Sequence, residues 1–212
     1  GDESICSGGN PTAFTVSASA TGSGTLTYQW QSSVDNTSFA DISGATSSTY
    51  DAPNGLTTKT YYRRIVTSTL NSVACTATSN VITVTVNAVS ATISSDETIC
   101  SGGDPVAFTQ TAAASGSGNL TYQWQSSSSA NGTFVDIVGA TSSSFDPGAS
   151  IGTTTYYRVV ITSTLNQEPC SAVSNVIQYL VNPNPAANAG SNFTKNCISN
   201  QNGGTIGMSP VA

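Results

Sequence analysis

The chain repeats itself, and the length of the repeat limits what it can fold into. Ile5-Cys6-Ser7-Gly8-Gly9 returns as Ile99-Cys100-Ser101-Gly102-Gly103, and Leu26-Thr27-Tyr28-Gln29-Trp30-Gln31 as Leu120-Thr121-Tyr122-Gln123-Trp124-Gln125, both at an offset of 94. Gly44-Ala45-Thr46-Ser47 then returns as Gly139-Ala140-Thr141-Ser142, and Tyr61-Tyr62-Arg63 as Tyr156-Tyr157-Arg158, at an offset of 95. One residue has therefore been inserted, between Ser33 and Phe39 in the first copy and between Ser127 and Phe134 in the second. Both stretches are rich in turn formers, and an exposed hairpin loop is where an extra residue costs least. A unit of this length is too long for a solenoid repeat of about 20–50 residues. It is close to the roughly 100 residues of an immunoglobulin-like sandwich.

The local pattern agrees. Leu26, Tyr28 and Trp30 alternate with Thr27, Gln29 and Gln31, as do Leu120, Tyr122 and Trp124 with their neighbours, giving one apolar and one polar face. Phe14, Val16 and Ala18 form another period-two set, and Ile82, Val84 and Val86 a further one. Gly22-Ser23-Gly24 and Gly116-Ser117-Gly118 mark turns. No stretch has helical periodicity. The expected fold is all-β: tandem immunoglobulin-like sandwiches arranged end to end, residues 1–88 and 89–183, followed over 184–212 by the start of a third, related module. Trp30, Trp124, Tyr28 and Tyr122 are its candidate core. The Tyr-Tyr-Arg strand leaves its facing open. If Tyr62 and Val66 point inward, so does Arg64; if Tyr61 and Ile65 do, so does Arg63.

Five cysteines constrain the fold further. Cys6 and Cys75 sit near opposite ends of the first copy, and Cys100 and Cys170 occupy matching places in the second. A bridge within each module, Cys6–Cys75 and Cys100–Cys170, is the simple reading, with unpaired buried thiols as the alternative. Zinc is disfavoured by the lack of histidine and of C-x₂-C spacing. Cys197 is left over, with its partner expected beyond residue 212. Disulfides imply an oxidising compartment.

Charge narrows the partners. Only 8% of residues are charged and the net charge is −6, with five Lys and Arg. A nucleic-acid partner needs a basic footprint to neutralise phosphate, and no apolar run approaches the roughly 20 residues that span a bilayer. No signal peptide heads a chain that otherwise reads as exported, so it is read as an excerpt of something longer. The absence of histidine excludes Ser-His-Asp and Cys-His arrangements. Asp41 and Asp136 recur, as do Asp51 and Asp146; they read as turn and strand-end residues before they read as a glycosidase pair. Asp96 and Glu97, matching Asp2 and Glu3, stand just after the junction and are a weak calcium candidate, since no D-x-D-x-D-G loop accompanies them. No catalytic residue and no cofactor is expected.

Ile-Cys-Ser-Gly-Gly, Leu-Thr-Tyr-Gln-Trp-Gln, Tyr-Tyr-Arg and Cys…Ser-Asn-Val-Ile together resemble the immunoglobulin-like repeats of very large Bacteroidota surface proteins, the SprB-like gliding-motility adhesins and related type IX secretion substrates. The resemblance covers residues 1–183, and Ala189–Cys197 resembles the opening of a related module. It implies export across the outer membrane and display on the cell surface. The function expected is that of a structural and adhesive repeat segment in a large extracellular fibre, a rigid spacer that also offers contact surface, and not an enzyme. Its partners would be neighbouring repeats, with surface polysaccharide or an abiotic surface as candidate contacts. The rival is an accessory or carbohydrate-binding module of a secreted multidomain enzyme.

Overall fold

A computed structural model describes residues 1–94 and 96–185, without the side chains of residues 111 and 112. The expected third module and Cys197 lie outside the described residues, apart from Asn184 and Pro185. Every regular element among the described residues is a strand. The first module holds β1 (Glu3–Cys6), β2 (Thr25–Ser33), β3 (Ala40–Asp41), β4 (Thr60–Leu70), β5 (Val73–Thr78) and β6 (Ile82–Asn87). The second holds β7 (Ser90–Ile93), β8 (Glu97–Cys100), β9 (Gln110–Ser115), β10 (Asn119–Ser127), β11 (Val135–Asp136), β12 (Thr155–Leu165), β13 (Glu168–Val173) and β14 (Ile177–Asn182). The fold is two immunoglobulin-like modules in tandem.

Each module is built on one six-stranded sheet, β1-β6-β4-β2-β3 with β5 also on β4, and β8-β14-β12-β10-β11 with β13 also on β12. β5 and β6 lie on the same edge of β4, along Ile65–Leu70 and Thr60–Tyr62. They form one strand broken at Ser79. The Ser79 hydroxyl accepts the Arg64 amide at 2.9 Å and donates to the Asn80 carbonyl at 2.7 Å, so a side chain bridges the break in the ladder. Ser174 does the same for Val159 and Asn175. This explains why Ser-Asn-Val-Ile recurs.

The opposing layer is thinner than the expected second sheet. In the first module it is reduced to the bridges Phe14–Tyr50 and Gly9–Leu56, and in the second to Phe108–Phe145, Gly103–Ile151 and the pair β7–β9. The expected Phe14-Val16-Ala18 strand is corrected accordingly. Phe14 is buried, while Val16 and Ala18 are exposed and lie outside any strand. Their counterpart in the second module is β9, which has β7 to pair with. The extra residue lengthens the β10–β11 connection, as its turn residues suggest, relative to the β2–β3 connection. In the β2–β3 connection the Asp35 carboxylate accepts the amides of Thr37 and Ser38 and the Ser33 hydroxyl. These bonds hold its pKa far below the usual carboxylate value.

Trp30 and Trp124 are buried against the facing layer. Each indole N–H donates to a backbone carbonyl, of Ser47 and Ser142, at 3.0 Å. Gln29 donates to the carbonyls of Trp30 and Ile42, and Gln123 to those of Trp124 and Ile137. The Tyr-Gln-Trp-Gln motif thus ties the strand to the loop that follows it. Phe14 meets Tyr62 across the layers at 5.0 Å, and Phe108 meets Tyr157 at 5.1 Å. These aromatic pairs stand beside the tryptophan where an antibody domain places its inter-sheet disulfide. Tyr28 and Tyr122 are only half-buried.

The facing of the Tyr-Tyr-Arg strand is settled: Tyr62 and Arg64 point inward and are buried, with half-buried Val66 next on the same face. Arg64 donates to the Ser48 carbonyl and lies 5.0 Å from the Tyr28 ring centre. Arg63 faces out over Phe39 at 3.9 Å and donates to Gln31, which donates to Asp41. Arg158, Phe134, Gln125 and Asp136 repeat that chain.

Candidate functional site

The junction is where the two modules build something that neither contains alone. β1 runs parallel to β6, with Cys6 opposite Asn87 at the exit end of the first module. The β4–β5 and β12–β13 hairpins mark the opposite, entry ends. Each turns through two residues of positive φ, Asn71-Ser72 and Asn166-Gln167, the backbone that matches strand twist in a two-residue hairpin.

This polarity overturns the expected bridges within modules. Cys75 pairs with Ser68 on β4. From Ser68 back to Thr60 is eight residues, and Val84, opposite Thr60, lies three residues before Asn87. At ~3.3 Å per residue, Cys6 and Cys75 are about 36 Å apart, far beyond the roughly 7 Å limit for a disulfide. Cys100 and Cys170 are separated in the same way. Cys6 is instead bonded to Cys170 of the next module, with Cα atoms 5.3 Å apart. Cys75 and Cys100 are exposed thiols.

Around the bridge, the second module's hairpin folds back on the first module's β1. Asn166 donates to the Ser4 hydroxyl at 2.8 Å. Asn87 is 1% exposed and spans both modules. Its side-chain amide donates to the Ser163 carbonyl at 2.9 Å, and its side-chain oxygen accepts the Ser117 amide at 3.0 Å. Gly118 donates to the Ser163 hydroxyl at 3.0 Å, and a Cβ on Gly116 would collide with that same hydroxyl. Those glycines let the backbone approach close enough to receive Asn87. Past Asn87, Val89 and Ala91 pack on the second core and β7 pairs with β9. Ile93 is buried, its amide donating to the Asn175 side chain at 2.9 Å.

Sequence alone places the bridges within modules, reads Ser117 only as part of a turn, and gives Asn87, Ser163 and Asn166 no bonding role at the joint. The available signal was the recurrence of an Asn at the end of each last strand, Asn87 and Asn182, and of the Gly-Ser-Gly turn.

The acidic candidates are engaged in strand edges. Asp2 accepts the Thr83 amide, Glu3 that of Thr12, Asp96 that of Gln178 and Glu97 that of Val106. Asp146 accepts the Gly148 amide two residues on. Among the described residues no cluster of His, Cys, Asp and Glu suited to a metal ion occurs.

A family described as a domain of unknown function, DUF8696, matches residues 1–88 and again 89–183. No curated protein matches the chain. Among solved structures, the chain is similar to the three N-terminal domains of the bacteriophage RB49 highly immunogenic outer capsid protein, at 12% identity and a TM-score of 0.46, over 84% of this chain and 67% of that one. It is also similar to the N-terminal four Ig domains of Dscam1 isoform 9.44, at 17% identity and a TM-score of 0.39, over 85% and 43%. The fibronectin(III)-like modules of Clostridium thermocellum CbhA match at 15% identity and a TM-score of 0.29, over 86% and 90%. The chain spans less than half of the Dscam1 structure.

Proposed function

The chain belongs to the DUF8696 family through both of its modules, and from that premise we propose that it is a rigid spacer segment of an extracellular surface fibre, working by shape and not by catalysis. The observation that supports this reading most is the joint. A free hinge between modules would leave its polar groups to water, whereas Asn87 is buried with both ends of its amide bonded in the next module. A disulfide locks the same joint. Two tethers some distance apart resist swivelling far better than a short linker alone.

The disulfide suits an oxidising environment outside the cell. Low charge lets successive modules sit end to end without strong mutual repulsion. The resemblance of the repeat to those of large Bacteroidota adhesins carries the finer proposal, that the fibre is displayed by type IX secretion and serves adhesion or gliding. Polysaccharide or abiotic surfaces would then meet the module flanks.

Small-angle scattering on the oxidised chain tests the reading. A spacer gives an elongated particle of roughly 80 Å, from two modules of about ten-residue strands plus loops at ~3.3 Å per residue. A compact particle with modules packed flank to flank would favour an accessory domain folded against an enzyme.

A further inference from the structure

Each module carries both halves of the joint, and among the described residues one half of each is engaged. The first module ends in Asn87, Ser4 and Cys6, which enter the second. Their counterparts Asn182, Thr98 and Cys100 are exposed at the far end of the second module. The second module receives with Ser117, Ser163, Asn166 and Cys170. Their counterparts Ser23, Ser68, Asn71 and Cys75 line an open groove of about 610 Å³ at the near end of the first.

That groove is already formed. Gly24 donates to the Ser68 hydroxyl at 3.2 Å, as Gly118 does to Ser163. Gly22 again sits where a Cβ would strike Ser68. The groove is apolar where the second module's surface is covered. Leu70 is 50% exposed where its counterpart Leu165 is half-buried, and Cys75 is open where Cys170 is 2% exposed.

A second opening points to the same occupant. Beside Trp30, Arg64, Asn80 and Ile82 lies a cleft of about 410 Å³ walled by Thr15–Ala18. At the corresponding place in the second module, β7 lies on β9, and Ile93 is clasped by Asn175, the counterpart of Asn80. Arg64 faces this cleft with a buried Nε that has no hydrogen-bond partner. Groove, cleft and thiol are therefore the three places that one junction segment, running from an Asn87-like residue to an Ile93-like residue beside a Cys6-like residue, fills in the second module.

We propose that both ends of this chain are docking faces for further modules of the same family, joined as its own two modules are joined. Cys75 would bond the first-strand cysteine of a preceding module, and Cys100 the hairpin cysteine of a following one. The inference rests on reading the chain as a row of modules. It adds that every joint in the row is covalently stapled. Such contacts are head-to-tail, each module offering one face and receiving with the other, so they extend from module to module along the row. Each bond forms as two thiols give up two protons and two electrons to a low-molecular-weight disulfide, which is reduced to two thiols.

The test joins a copy of residues 1–94 directly ahead of Gly1 of the full chain. Asp2-Glu3 then follow Ser94 at the spacing of Asp96-Glu97. The protein is equilibrated in a fixed glutathione buffer, thiols are alkylated, and linkages are mapped without reduction. The expected result is a bond from the added copy's Cys6 to Cys75, with Cys6–Cys170 retained. Asn87→Ala in the added copy should lower the ratio of that disulfide to its thiols about tenfold, as expected for a buried polar partner lost from a joint. A Cys75 that is still alkylated, or linked to Cys100 or to its own module's Cys6, overturns the proposal. Scattering on the same protein keeps the spacer reading separate. A straight three-module rod with a free Cys75 would defeat the stapled docking face and leave the rod standing.

Discussion

Asn87 of the first module and Ser163 of the second are joined by a 2.9 Å hydrogen bond in a site closed to water. The same Asn accepts the Ser117 amide, and its backbone carbonyl accepts the Ser7 amide at 3.2 Å. One side chain thus couples the last strand of one module to two segments of the next.

Replacing it should be felt at the joint. Asn87→Ala removes a partner from the carbonyl of buried Ser163 and gives the Ser117 amide up to water, a cost of about 1–3 kcal/mol. The modules should stay folded while their relative orientation broadens, read as a wider distance distribution in scattering. Asn182→Ala, at the equivalent but exposed position, should change neither. An effect of equal size at both positions would show that Asn87 acts through its own module only.

Much of the fold was legible in the residues, because the signals for it are local. Alternation in Leu-Tyr-Trp requires only that one face be apolar, and the tandem spacing bounds each module. The disulfides were not legible. A bond within each module and a bond staggered from one module to the next place cysteines at the same positions in both copies. Only strand direction separates the two, by putting Cys6 at the exit end and Cys75 at the entry end. The facing of Arg64 was hidden for a similar reason. Arg63 and Arg64 are adjacent, each with an aromatic neighbour, and the second module resolves the choice only by replacing Arg64 with a buried Val159.

The core tryptophans should be costly to remove. Trp124 is 0% exposed and stacked on Phe108 at 5.4 Å. Trp124→Ala should destabilise the second module by about 3–5 kcal/mol. Trp30→Ala should cost less, because the Trp30 ring borders the open cleft beside Arg64. Denaturant midpoints of the two variants test the order, and a larger loss at Trp30 would contradict it.

Alkali should weaken the second module through its buried phenols. Burial, and then the charges of Glu97, Tyr157 and Asp146, push the Tyr179 hydroxyl well above the usual phenol value. Burial also raises Tyr157. Tyr179 donates its proton to the Val106 carbonyl, a bond that only the neutral form makes. A group whose folded pKa is raised keeps its proton in the folded state where the unfolded chain has lost it. Stability is then fully present below about pH 10 and falls as pH rises above it. The urea midpoint should be flat from pH 7 to about 9 and decline beyond 10. Tyr179→Phe should make the decline shallower; an unchanged slope would place the alkaline sensitivity elsewhere.

Reduction should loosen the joint without unfolding the modules. Cys6 and Cys170 are 164 residues apart in the chain, and closing so long a loop is worth about 5 kcal/mol in the chain-entropy model, whose mechanism is disputed. That stabilisation is realised only if the enclosed chain unfolds as one unit. Here the loop contains two separate cores, each with its own tryptophan and aromatic stack. The bridge therefore acts mainly on docking, by holding β1 against the β12–β13 hairpin and protecting the Asn166–Ser4 and Asn87–Ser163 bonds from water. Cys6→Ser should leave circular dichroism and indole fluorescence unchanged. It should speed amide hydrogen exchange at Ser117, whose N–H is bonded to Asn87 across the joint, more than at Trp30 or Trp124. Exchange that rises equally at the tryptophan amides would mean that the staple stabilises the modules themselves and not the joint between them.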